Sequence, residues 1–218
     1  MPLSKQEINR KLFHFVGLFL PIGIFYFPMI FGISDIIVIV ILAILLITSV
    51  FIEKLRFRHP DINKIFQTCF RSMLRNEERE NLTGSTWLIG SALICSILFR
   101  TLPHISFIAL TLFIIGDAAA ALVGQGIGKI KIGKKTLEGS IACFLVCTVI
   151  FSGIFPFLPF LLDRWGGSVP LPLILVTSLA ITVFELIPLR VTGNLTINDN
   201  LAVPVIAGFV MKYFYPVF

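Results

Sequence analysis

Charge is scarce in this sequence. Only 14% of its 218 residues are Asp, Glu, Lys or Arg, whereas 56% are apolar and Phe alone occurs 22 times. A soluble domain of this length needs about a quarter of its residues charged to cover its surface, so a water-exposed globular fold is excluded. Residues 36–52, 82–99, 139–162 and 165–184 contain no Asp, Glu, Lys or Arg at all. Each run approaches or exceeds the roughly 20 helical residues that cross a hydrocarbon core. Strict polar–apolar alternation is lacking too, which excludes a transmembrane barrel, and in lipid such runs satisfy their backbone as helices. Cysteine is sparse: Cys69, Cys95, Cys143 and Cys147 show no metal-like spacing and lie in apolar or amphipathic segments, so they read as packing residues. No internal repeat, low-complexity stretch or long linker divides the chain, so a single domain over residues 1–218 is expected.

The predicted fold class is all-α, a polytopic membrane protein of about seven transmembrane helices with a cytoplasmic N-terminus. The expected spans are residues 12–31, 35–52, 82–99, 105–123, 137–155, 171–189 and 201–217, with Asp117 and Lys212 interrupting the fourth and seventh. Pro21, Pro28 and Pro204 are expected to kink the spans they enter. The basic start followed by an apolar run resembles a signal peptide, but the run is too long and no small-residue cleavage site follows, so it reads as a retained helix. Of the 18 Lys and Arg residues, only Arg100, Arg164 and Lys212 then fall on the outer side. Between the second and third spans, Ile62, Ile65, Phe66, Cys69, Phe70, Met73 and Leu74 recur at helical spacing. They predict an amphipathic interfacial helix over about residues 61–75, capped by Asp61.

The polar residues gather near the inner ends of these spans. Asp117 lies in Phe113-Ile-Ile-Gly-Asp-Ala-Ala-Ala-Ala-Leu-Val-Gly124, where a carboxylate costs at least ~2.5 kcal/mol on insertion scales and needs a partner or a task. Gly116, Ala120 and Gly124 recur every four residues and permit close approach of another helix. The segment Gly124-Gln-Gly-Ile-Gly-Lys-Ile-Lys-Ile-Gly-Lys-Lys-Thr-Leu-Glu-Gly-Ser140 combines glycines with four lysines, a pattern suited to curling backbone N–H groups and countercharge around phosphate. Thr136 or Ser140 is placed to cap the following helix. The segment is not a P-loop, because Lys135 stands where Ser or Thr is required and no soluble strand precedes it. Arg10, Lys11 and His14 share a helical face at the mouth of the first span, Glu185 precedes Pro188, and Asn198-Asp-Asn200 opens the last span.

Taken in order, Arg10-Lys-Leu-Phe-His14, Glu53 with Arg56, Arg75 through Glu80 into Leu82-Thr-Gly-Ser-Thr-Trp87, Gly116-Asp-Ala-Ala-Ala-Ala, Lys134-Lys-Thr-Leu-Glu-Gly-Ser140 and Asp199-Asn-Leu-Ala-Val-Pro204 resemble the dolichol kinase, phytol kinase and CTP-dependent diacylglycerol kinase family. Phe57-Arg-His-Pro-Asp-Ile-Asn63, followed by Arg75 and Glu78, looks most like the diacylglycerol and polyprenol branch. The resemblance implies phosphoryl transfer from CTP, with Mg²⁺ or another divalent metal, to the hydroxyl of a membrane lipid alcohol.

On that expectation, Asp117, Lys135, Glu185, Asp199 and His14 are the catalytic candidates, and Asp117 and Asp199 the metal ligands. Gly124, Gly128, Lys134, Lys135, Thr136, Glu138, Gly139, Ser140 and Asn200 would bind the nucleotide, and Arg10, Lys11, His14, Glu53 and Arg79 the lipid headgroup. Glu185, Asp199 and His14 all remain open as acceptors of the hydroxyl proton. Two alternatives use similar residues. A CTP:phosphatidate cytidylyltransferase should carry a carboxylate-rich C-terminal signature, where this chain has only Asn198-Asp-Asn200. A transporter of an anionic solute would suit the broken spans, but the chain shows no inverted repeat.

Overall fold

In a computed structural model, the structure describes residues 5–70, 73–74, 78, 80–187, 189–192 and 195–215. Helices dominate these residues: α1 (Lys5–Val16), α2 (Phe19–Phe31), α3 (Asp35–Arg58), α4 (Pro60–Phe70), α5 (Gly84–Leu98), α6 (Pro103–Ile127), α7 (Leu137–Val149), α8 (Leu171–Leu186) and α9 (Asp199–Phe214). Four helical stretches among the described residues are long and apolar enough to cross a membrane: Glu7–Phe31, Asp35–Arg58, Pro103–Ile127 and Leu137–Phe157. These support a membrane protein. At ~1.5 Å per residue, α5, α8 and α9 are shorter than a ~30 Å hydrocarbon core, although their composition is apolar.

Helix α6 is the axis of the fold and packs against α1, α2, α5, α7, α8 and α9. Ile105, Ile108, Leu112, Phe113 and Ile114 are fully buried there, alongside Phe99, Phe151 and Phe155 from its neighbours. The face of α3 away from the core leaves Ile37, Ile41, Ile44 and Ile47 exposed, as a surface solvated by lipid would.

Pro21 breaks the first long stretch a turn earlier than its own position. It has no N–H for the Gly17 carbonyl, so Leu20 N donates to that carbonyl at 3.0 Å and the chain tightens through Gly17 and Leu18. Gly17 is also required sterically, since a Cβ there would lie 2.6 Å from Leu88 Cδ2. Helix α4, expected to be interfacial, begins at Pro60, a favoured first position, so Asp61 lies inside the first turn instead of capping it. Its expected extension to residue 75 runs partly outside the described residues.

Among those described, two hairpins interrupt the all-helical expectation. Strands β1 (Lys131–Ile132) and β2 (Lys135–Thr136) join α6 to α7, and β3 (Arg190–Thr192) and β4 (Leu195–Thr196) join α8 to α9. Gly133, at φ +61°, supplies the first central residue of a two-residue hairpin turn.

Candidate active site

The site lies at the end of the bundle that carries the hairpins, and it is built from two ion clusters. In the first, α1 places Lys11 and His14 one turn apart, facing Asp117 of α6. Lys11 is 1% exposed, and its Nζ donates to Asp117 Oδ2. His14 Nε2 lies 3.5 Å from the same oxygen, and its ring stands edge-on to Phe113. Asp117 thus has the partner that its position in an apolar helix demands.

The second cluster centres on Lys135 at the end of the first hairpin. Its Nζ lies 2.8 Å from Glu185 Oε1 and 2.9 Å from Asp199 Oδ2, and it also donates to the Glu185 main-chain carbonyl. Burial alone would lower the Lys135 pKa, but the carboxylates of Glu185 and Asp199 outweigh burial and raise it above its ordinary value. Lys135 therefore stays charged through neutral and mildly alkaline pH. Glu185 is 3% exposed, and its other oxygen, Oε2, has no hydrogen-bond partner. Its helix, α8, packs against both α6, which carries Asp117, and α9, which carries Asp199, so the two clusters stand on adjoining helices.

The glycines of the loop serve a different purpose from the one their pattern suggests. A Cβ on Gly124 would lie 2.7 Å from Thr136 Oγ1, one on Gly128 would lie 2.2 Å from the Gly124 carbonyl, and one on Gly139 would lie 2.5 Å from the Ala120 carbonyl. These three glycines bring the end of α6 against the start of α7. Thr136 caps α7, accepting from Gly139 N at 3.2 Å, and Ser140 Oγ donates to the Thr136 carbonyl. Glu138 accepts from the main-chain N–H groups of Lys129 and Ile130 and closes the hairpin base. Lys134 sits at the turn of the hairpin.

Other expected site residues make their own contacts. Glu53 is buried, accepting at Oε1 from Thr83 N, Thr83 Oγ1 and Thr86 Oγ1 and at Oε2 from Arg56 Nε at 2.6 Å. Arg56 donates onward to the carbonyls of Glu78 and Asn81 and stacks between Phe57 and Phe66. This clasp pins α3 to α5 and occupies both Glu53 oxygens. Arg10 pairs with Glu7. Asn200 Nδ2 donates to the Gly84 carbonyl at 2.8 Å and ties α9 to α5. Arg79 lies outside the described residues. Thr83 and Thr86, given no role from sequence, prove to be the groups that receive Glu53; their signal was the hydroxyl cluster Thr83-Gly-Ser-Thr86.

A resident metal ion does not fit this arrangement. Among the described residues no three His, Cys, Asp or Glu side chains converge on one point, and lysines already hold the carboxylates.

No protein-family model matches the chain, and no solved structure matches it. It is similar to an uncharacterized protein of Rickettsia prowazekii, 26% identical over 204 residues that cover 91% of this chain and 89% of that one. It is likewise similar to an uncharacterized protein of Methanocaldococcus jannaschii, 25% identical over 210 residues covering 95% and 94% of the two chains.

Proposed function

We propose that this chain is a CTP-dependent kinase that phosphorylates the hydroxyl of a membrane lipid alcohol, of the diacylglycerol or polyprenol type. One observation carries the reading: Lys11, His14, Asp117, Lys135, Glu185 and Asp199 meet in one partly buried centre inside an otherwise apolar helical protein. Charges so placed are costly in a membrane and are kept for function. The proposal includes about seven spans, with the hairpin end facing the cytoplasm, because lysine and arginine collect there.

Phosphoryl transfer asks a protein mainly to position its reactants and neutralise charge. The β1–β2 hairpin brings Lys134 and Lys135 to the nucleotide phosphates. Any divalent cation arrives with the nucleotide as part of the substrate, the usual way for Mg²⁺, which takes one or two carboxylates plus phosphate oxygens. Glu185 Oε2, buried and without a partner, is the acceptor for the alcohol proton. The lipid tail stays between helices in the bilayer, so only the alcohol has to reach the polar centre, past Lys11 and His14.

Incubating the purified protein with γ-labelled CTP or ATP and a panel of lipid alcohols tests this directly. Label on the lipid is the expected result. Label released as diphosphate would indicate cytidylyl transfer instead, and label that remains in the nucleotide would leave the kinase reading without support.

A further inference from the structure

The ammonium of Lys135 has three N–H donors, and three acceptors surround it: the Glu185 carbonyl, Glu185 Oε1 and Asp199 Oδ2. It is saturated, and it sits between the two carboxylates. A divalent ion bonded to both oxygens at ~2.1 Å would lie within ~5 Å of this ammonium, one positive charge against another. Lys11 stands in the same relation to Asp117, and it is almost wholly buried. Glu185 Oε2 is a buried acceptor in the centre that no lysine contacts among the described residues. Three carboxylates from three helices are therefore each already in contact with a lysine supplied from elsewhere in the chain, two lysines serving three anions.

We infer that Lys11 and Lys135 are the resident counter-ions of this site, so that the protein without nucleotide binds no divalent cation, and that Lys135 yields Glu185 and Asp199 only to a polyphosphate carrying its own cation. Asp117 and Asp199, expected from sequence to form a metal site, are in this state the two ends of lysine contacts. The exchange has a simple electrostatic reason. A lysine leaving two carboxylates in a half-buried site needs another anion to move to, and the polyphosphate is that anion, while its cation inherits the carboxylates. Metal and nucleotide then bind as a unit. The exchange half rests on the kinase reading; the absence of a metal from the nucleotide-free protein does not.

Equilibrium dialysis of the detergent-purified protein against Mn²⁺ alone separates the two halves. The wild type should take up no stoichiometric Mn²⁺. Lys135→Ala removes a positive charge in contact with two carboxylates and should bind one Mn²⁺ at least about tenfold more tightly than the wild type. Adding Glu185→Gln to that variant should abolish the gain. Lys131→Ala, which removes the same charge from the same hairpin without touching the carboxylates, should behave as wild type. Stoichiometric Mn²⁺ binding by the wild type that Asp199→Asn removes would overturn the inference, and this arm stands even if Lys135→Ala does not fold. So would a folded Lys135→Ala variant with no gain. Adding CTP to the wild type should bring one Mn²⁺ per bound nucleotide, and CTP bound without Mn²⁺ would sink the exchange. If CTP does not bind at all, the kinase reading falls while the comparison with metal alone keeps its meaning.

Discussion

Gly116 and Cys147 meet so closely that a Cβ on the glycine would lie 2.8 Å from the Cys147 Sγ, with the Cys143 Sγ 2.9 Å away on the same side. The residue before Asp117 is thus held by two thiols of α7, and any side chain there moves the carboxylate's helix. Gly116→Ala is expected to lower the thermal midpoint in detergent, by an overpacking loss of about 1–3 kcal/mol. Combining it with Cys147→Ala should recover part of that loss. An unchanged midpoint for Gly116→Ala would mean that α6 and α7 separate easily.

Asp117→Asn should abolish turnover, and it should also weaken the fold, because it leaves the buried Lys11 charge uncompensated at a cost of about 3–5 kcal/mol. The double variant Lys11→Met with Asp117→Asn should regain stability without regaining activity. Thermal scans beside the labelled-lipid assay distinguish the two effects. Activity in the double variant would reduce this pair to a structural contact.

Glu53→Gln separates the clasp from the site. It weakens the contacts to Arg56, Thr83 and Thr86, so the protein should lose stability, while the KM values for CTP and lipid stay within about twofold. A selective rise in the lipid KM, at an unchanged melting midpoint, would return Glu53 to the headgroup role its sequence context suggested.

His14→Ala should leave CTP affinity, measured by calorimetry without lipid, nearly unchanged and reduce the rate or apparent affinity for the alcohol. His14 faces Asp117 from α1, whereas Lys135 contacts Glu185 and Asp199. Loss of CTP binding in this variant would reverse the division of labour between α1 and the hairpin.

Orientation can be read from single cysteines at Lys131 and Ser168, labelled in intact cells with an impermeant maleimide. Protection at residue 131 and reaction at residue 168 are expected. The opposite pattern would turn the site outward.

Much of this arrangement was legible in the residues themselves. Every fourth position from Gly116 to Gly124 being small announced a close helix partner, and α7 is that partner. Asp117 in an apolar run announced a buried counter-charge. The pattern did not say which cation it would be, because Lys11 lies 106 residues away and only the fold joins them. Periodicity also missed both hairpins, since strands of two or three residues are too short to show a period. The glycines of residues 124–139 were read as a phosphate cradle because composition cannot distinguish a glycine that faces a ligand from one pressed against Thr136. Glu53 looked like a site residue for a related reason: a carboxylate saturated by Thr83, Thr86 and Arg56 has the same one-letter code as a free one.

The distance along the chain between Lys11 and Asp117 also sets a schedule for biogenesis. A ribosome adding about 5–20 residues per second exposes Lys11 roughly 5–20 s before Asp117 exists. Until α6 has been made, Lys11 lacks the carboxylate that holds it in the folded protein, and the turn at Gly17 and Leu18 separates the helix that carries it from α2.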